Sequence, residues 1–298
     1  MEIIRINEND AGQRLDSFMK KIMPCTSAGL IYKYMRTNKI KLNSKKPKPD
    51  VRLCAGDEIK YFGDSGLLQG RSFKPVKYKL DIVYEDENIL AVNKPAGLPC
   101  QSDAAHKTDT LVDYIKSYLV DKGEYTPEKE MSFSPALCNR IDFNTAGMCI
   151  AAKNAESLRI MNEKIKSREV RRFYVCVTDG VPHEKSGTIR TRVEKNGKTN
   201  VSKVVRDGGK DAETHYAVLR DNGKNALVEL EIISGRSHQI RLHMAHIGCP
   251  VSGDPKYGHG GNGQKLVSHK AIFAFKSDAG RLNYLKDRVI ELKHNLDI

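Results

Sequence analysis

Two segments carry residue types and spacings able to do chemistry. The first is Cys138-Asn-Arg-Ile-Asp-Phe-Asn-Thr-Ala-Gly-Met. With Arg140 to Asp142 extended, the two side chains point to one face. A guanidinium beside a carboxylate favours the charged form of the acid. Asn144, Thr145 and Gly147 are turn residues that would hold the carboxylate at the tip of a strand. Asp-x-Asn-Thr-x-Gly is equally ordinary turn chemistry, in which the Asp bonds nearby backbone. Spacing alone leaves both readings open.

The second segment is Gly235-Arg-Ser-His-Gln-Ile-Arg-Leu-His-Met-Ala-His-Ile-Gly. It leaves a strand and enters a helix, with Arg236 at the junction and Ser237 as a natural N-cap. His238 and His243 lie about 500° apart around a helix and diverge. His243 and His246 could share a face, and with Asp254 they form a conceivable set for a metal-dependent phosphodiesterase. No carboxylate stands near the histidines in sequence, and hydrogen-bonded histidines are the plainer reading, so no metal is expected. A G-x-x-x-x-G-K-[ST] loop and a G-x-G-x-x-G turn are both missing, which excludes those two nucleotide sites. The zinc-deaminase pattern is missing as well.

The elements that must position these residues alternate irregularly. Leu15, Phe18, Met19 and Ile22 fall at helical spacing, as do Leu30, Ile31, Tyr34 and Met35. Short strands are expected at 39–43 and 56–62. Further strands are expected at 81–85, 89–93, 148–152, 173–178 and 227–233, with several short polar ones across 187–220. Asp109 and Asn154 read as caps of helices carrying Leu111, Ile115 and Leu119, and Leu158, Met161 and Ile165. Gly248-Cys-Pro ends the helix of the second segment. The pattern predicts an α+β fold with a mixed, largely antiparallel sheet. The expected domains are 1–63, a small basic module, and 80–298, joined by a linker at 64–79 that holds two Gly and one Pro.

The 298 residues carry 50 Lys and Arg against 37 Asp and Glu, a net charge of +13. The stretch 1–63 holds 13 of those cations and 7 of the anions. Arg36, Lys39, Lys41, Lys45, Lys46 and Lys48 follow one another with no acidic residue between. Such an excess favours a polyanionic partner. The run contains Asn38, Asn43 and Pro47 and makes no sustained amphipathic helix, so nucleic acid fits better than a membrane surface. Seven widely spaced Cys without a C-x-x-C argue against a disulfide framework. With no window approaching ~18 consecutive apolar residues and no signal-peptide core, a soluble cytoplasmic protein is expected.

Asn139-Arg-Ile-Asp-Phe-Asn-Thr-Ala-Gly resembles the H-R-L-D-x-x-T-S-G motif of the RluA family of pseudouridine synthases. The second segment, followed by Gly253-Asp-Pro-Lys-Tyr-Gly, is similar to that family's second signature. Ile89-Leu-Ala-Val-Asn-Lys-Pro-Ala-Gly-Leu resembles its opening strand. Residues 12–63 resemble the S4-type RNA-binding domain found in front of many members. Asn139, Ile141 and Ala146 depart from the first motif, and Arg172 and Cys176 from a K-x-Y-x-A-x-V pattern.

The resemblance implies isomerisation of uridine in structured RNA, ribosomal more than transfer RNA, with no cofactor. It implies Asp142 as the catalytic carboxylate, Tyr174 against the base, and Arg236 pairing with the Asp. Arg140, His238 and Arg241 would bind substrate. In the front module Arg14, Lys33, Arg36, Lys39 and Lys41 would grip RNA. A monomer is expected. The competing class is an RNA-binding protein without catalysis.

Overall fold

The structure is a computed structural model that describes residues 1–68, 73–102, 109–197, 201–261 and 263–298. Part of the expected linker (69–72) and the residues after the expected Asn196-Gly turn (198–200) lie outside the described residues. The chain forms two compact units. The first gathers Met1–Lys77 with Lys116–Pro135 and Lys153–Glu156.

In the first unit, strand β1 (Glu2–Arg5) precedes helices α1 (Leu15–Ile22) and α2 (Ala28–Arg36) and strands β2 (Ile40–Leu42) and β3 (Glu58–Tyr61). The strands form an antiparallel sheet in the order β1-β3-β2. Leu15, Phe18, Met19 and Ile22 of α1 are wholly buried and pack with Ile31 and Met35 of α2 over Ile40, Ile59 and Tyr61. Burying each such side chain is worth about 1.5–3 kcal/mol. Ser27 caps α2 by accepting the Leu30 N–H. Leu30 and Tyr34, expected inside, are only half-buried. The later segment joins this unit through Asp10, which is wholly buried and accepts from Ser132 N at 2.9 Å and Ser132 Oγ at 2.6 Å.

The second unit is an eleven-stranded sheet with helices. In chain order its elements are β4 (Ile82–Glu85), β5 (Ile89–Lys94), α3 (Leu111–Asp121), β6 (Ala136–Leu137), β7 (Ala146–Ala152), α4 (Ala155–Lys166) and β8 (Val170–Asp179). There follow β9 (Ser186–Asn196), β10 (Val201–Val205), β11 (Lys210–Asp221), β12 (Asn225–Ile232), α5 (Gln239–His246), β13 (Leu266–Phe273) and β14 (Val289–Glu291). Half of α3 falls in the first unit. The sheet order is β10-β9-β11-β12-β8-β13-β7-β5-β4, with β14 on β13 and β6 on β7. Among the described strands only β13 and β7 run parallel.

Three details differ from the sequence-based reading. The polar stretch 187–220 is not several short strands: β9 and β11 run 11 and 12 residues. Ile189 and Val193 are buried while Arg190 and Arg192 are exposed, so one solvated face makes a long strand look polar. Thr110, not Asp109, makes the reciprocal bonds at the start of α3: its hydroxyl donates to Asp113 Oδ2 at 2.7 Å and accepts the Asp113 N–H at 3.3 Å. Ser237 does not cap α5, whose N-cap is His238 in left-handed backbone at φ 55°.

The parallel pair constrains one glycine. Gly147 has φ +111°, and a Cβ there would sit 2.2 Å from the Ser268 carbonyl oxygen of β13. Gly147→Ala is therefore expected to cost about 3 kcal/mol or more through strain and overpacking. A urea midpoint equal to that of the parent chain would contradict this packing.

Candidate active site

Asp142 lies on the segment between β6 and β7, just before a turn in which its carbonyl accepts the Thr145 N–H at 3.1 Å. The backbone from Arg140 to Asp142 is not part of a strand. Several buried groups hold this segment. Asn139 accepts the Ile150 N–H at 2.8 Å and donates to Met148 O at 3.3 Å, tying it to β7. Thr145 Oγ1 accepts a hydrogen bond from the buried Gln264 side chain. Cys100 donates to Ile141 O at 3.4 Å. Lys94 at the end of β5 is wholly buried. Its ammonium donates to Pro95 O and Leu98 O at 2.8 Å and to Phe143 O at 3.0 Å. Three donors meet three carbonyls, which satisfies the group completely.

The Asp142 carboxylate, 28% exposed, faces a cleft of about 640 Å³. Arg140, Tyr174, Arg236, His238 and Arg241 line the same cleft. The ion pair of Asp142 is made by Arg241, whose Nη1 lies 3.0 Å from Oδ2. The pairing expected of Arg236 is not made. Arg236 Nε donates to Asp211 O at 2.9 Å, and its N–H to Gln239 Oε1 at 3.0 Å. The physical reason is the helix start. With α5 opening at Gln239, Arg241 falls in its first turn, while Arg236 stays on the entering loop.

Arg241 is fixed from behind. Its Nε and Nη2 form a fork on Asp254 at 2.6 and 2.8 Å. Burial works against the Arg241 charge, but hydrogen bonding to Asp254 and the charge of Asp142 raise its pKa overall. Burial likewise opposes the charge of Asp254, and Arg241 with the Lys256 and Tyr257 N–H groups outweighs it, lowering its pKa. One guanidinium thus links a wholly buried carboxylate to one at the cleft wall.

His238 Nε2 stands 4.0 Å from Asp142 Oδ2, and its Nδ1 is 2.9 Å from the Tyr257 hydroxyl. Tyr257 Oη accepts the Ser202 N–H at 2.7 Å and can give its own proton to His238 Nδ1 in the tautomer that leaves Nδ1 bare. That tautomer places the remaining imidazole proton on Nε2, towards Asp142. Burial lowers the His238 pKa against the opposing charge of Asp142, which favours the neutral imidazole. Tyr174 on β8 is 5% exposed, and burial pushes its hydroxyl up to about 12. Arg172, Lys195 and Lys256 add positive charge to the lining, against which Asp142 is the carboxylate among the described lining residues. A groove of that sign suits an anionic strand.

The histidine and acid set considered for a metal does not assemble. Both oxygens of Asp254 serve Arg241. His243 lies buried between the hydroxyls of Thr191 and Thr214, each at 2.9 Å. Among the described residues no group of three His, Cys, Asp or Glu is placed to hold a metal ion. Burial lowers the His243 pKa to about 4. Between pH 6.5 and 4 the unfolded chain therefore takes up a proton that the folded one refuses, so stability falls as pH falls. Thermal melts across that window should show the drop, and His243→Gln should flatten it. An equal slope in the variant would contradict the assignment.

Tyr257, Gln239 and Lys94 have no part in the sequence-based reading, and Asp254 enters it only beside the histidines of the conceivable metal set. Asp254 and Tyr257 stand in the motif Gly253-Asp-Pro-Lys-Tyr-Gly. A buried Lys has no sequence signal. Of the RNA-gripping residues expected in the first unit, Lys33, Arg36 and Lys39 are exposed and Lys41 is half-buried. Lys39 lies over the Tyr34 ring and Lys41 over the Phe62 ring, at 5.3 and 5.5 Å. Arg14 is paired with Asp16 at 2.7 Å.

A family profile described as RNA pseudouridylate synthase matches residues 88–246. An uncharacterized RNA pseudouridine synthase of Bacillus subtilis is 31% identical over 93% of this chain and 88% of its own length. Ribosomal large subunit pseudouridine synthase C of Rickettsia bellii is 35% identical over 86% of each chain. Synthase D of Escherichia coli is 30% identical over 85% of this chain and 75% of its own. Human RNA pseudouridylate synthase domain containing 1 shares the fold at a TM-score of 0.54, with 22% identity over 67% of this chain and 80% of its own.

Proposed function

The chain belongs to the RNA pseudouridylate synthase family, and from that premise we propose that it converts uridine to pseudouridine in structured large-subunit ribosomal RNA, with Asp142 as the catalytic carboxylate. The observation that carries this reading is the Asp142 carboxylate at the wall of the cleft, paired to Arg241. A target uridine is pulled from its stack at a cost of a few kcal/mol and enters the cleft. Asp142 opens the bond between sugar C1′ and N1, and the uracil turns and rejoins through C5. C5 then loses its proton and N1 takes one up. The isomerisation conserves every atom of the uridine and calls for no cofactor.

Tyr174 packs against the base in this scheme. With its pKa near 12, about one molecule in 10⁵ carries a phenolate at pH 7, which makes Tyr174 a packing surface and hydrogen-bond donor rather than the base that removes the C5 proton. Arg140, His238 and Arg241 contact or orient the nucleotide. The names of the Rickettsia and Escherichia relatives support ribosomal RNA as substrate, and a ribosomal substrate is consistent with work in the cytoplasm. Among the described residues no helix is long and apolar enough to cross a membrane.

Within the first unit, residues 1–63 serve as an S4-type RNA-binding module, with the catalytic domain beginning near residue 80. Its exposed cations support this. Phosphate contacts release counterions, so affinity should fall linearly with salt on a log–log scale. Lys39→Ala and Lys41→Ala should each reduce the slope by about one; unchanged slopes would remove both residues from the interface. The functional test is pseudouridine analysis of unmodified large-subunit and transfer RNA transcripts after incubation with the purified chain in EDTA. Product in the large-subunit transcript is expected. Product confined to transfer RNA would redirect the substrate, and RNA binding without product would reject the isomerase.

A further inference from the structure

We infer that Cys100 and Cys149 form a reversible thiol pair beneath the Asp142 loop, closed to a disulfide by a hydroperoxide and reopened by a dithiol, so that isomerisation stops under oxidising conditions. Their sulfur atoms lie 3.9 Å apart. Cys149 is wholly buried in β7. Cys100 follows β5 and lines the cleft, which gives a small peroxide a route to it. Of the other thiols, Cys25 and Cys54 are exposed in the first unit, and burial raises the pKa of Cys138, Cys176 and Cys249.

The two sulfurs are unequal in the way such a pair requires. The hydrogen bond from Cys149 brings Cys100 down to about 7 against the effect of burial, helped by the nearby charges of Lys94 and Arg140. The same bond and burial raise Cys149. The Cys100 thiolate is therefore the attacking group and Cys149 the resolving one. Cys100 sulfur attacks the peroxide oxygen, the O–O bond breaks, one water leaves after protonation, and a sulfenic acid remains. Cys149 sulfur then attacks the Cys100 sulfur, the S–O bond breaks and a second water leaves. Two electrons pass from the thiols to the peroxide.

Closing the pair affects the site directly. A disulfide needs about 2.05 Å between sulfurs, so one must travel. Cys149 is fixed by the pairing of β7 with β5 and β13, whereas Cys100 sits on a loop. The protonated Cys100 thiol donates to Ile141 O, next to Asp142, and the disulfide removes that bond until it is reduced. If the Ile141–Asp142 segment follows the sulfur by about 1 Å, the rate falls by about 100-fold.

The test treats the intact protein with hydrogen peroxide, blocks free thiols by alkylation and maps peptides by mass. The expected result is a Cys100–Cys149 crosslink, with activity falling at least ~10-fold and returning after dithiothreitol. Cys149→Val should form no crosslink and should not recover fully with dithiothreitol, each variant being compared with its own untreated activity. Two fully alkylatable thiols after treatment, or a crosslink to Cys138, would overturn the proposal. The activity arm rests on the isomerase reading, but the thiol map does not, so the two can fail separately. A crosslink that leaves activity intact in a working isomerase would overturn the switch.

Discussion

Asp142→Asn should abolish pseudouridine formation, with a rate loss above about 1,000-fold, on the scale seen when a catalytic group is removed. The amide keeps the size of the side chain and can still accept from Arg241, so the fold should hold. What disappears is the negative charge that the proposed mechanism uses to open the glycosidic bond. RNA affinity should stay close to that of the parent chain, because the proposed RNA contacts are cations of the cleft and the first unit and not this carboxylate. Gel-shift titration alongside product analysis separates the two. Full activity in the variant would end the assignment of Asp142. Loss of binding together with activity would mean that the carboxylate organises the RNA surface instead.

Arg241→Met should be the most damaging change outside Asp142, because it acts twice. It strips the cleft carboxylate of the cation 3.0 Å away, and it leaves Asp254, wholly buried, without its fork. Breaking a buried pair from one side costs about 3–5 kcal/mol, which should appear as a large shift in the urea midpoint. The paired change Arg241→Met with Asp254→Leu removes both buried charges and should restore much of the stability while activity stays low. Recovery of activity in the double variant would show that Arg241 matters only as part of the fold. Arg241→Lys should also be poor in activity, since a single ammonium cannot present a fork to Asp254 and a third donor to Asp142.

The helices of the first unit and most strands of the second were readable from spacing, because buried faces there repeat at regular intervals. Leu15, Phe18, Met19 and Ile22 are an instance, and so are the alternating residues of β12. The identity of the arginine that meets Asp142 was not readable. Arg236 and Arg241 share one segment, and the difference hangs on a single left-handed residue, His238, that delays the helix. Lys94 was silent for another reason. Lysine is read as solvent-facing, and only the convergence of Pro95, Leu98 and Phe143 carbonyls gives it a buried place. The parallel contact between β13 and β7 pairs Val267 with Ala146 and Ser268 with Gly147, far apart in sequence, and no local pattern announces it. Its one trace is Gly147, which as a sequence feature looks like part of a turn.

The most direct measurement is a pseudouridine map of all ribosomal and transfer RNA in cells lacking the gene, in cells given it back, and in cells given the Asp142→Asn form. One or more large-subunit positions should vanish on deletion, return with the parent gene and stay absent with the variant. A map unchanged by deletion, or restored by the variant, would contradict the account.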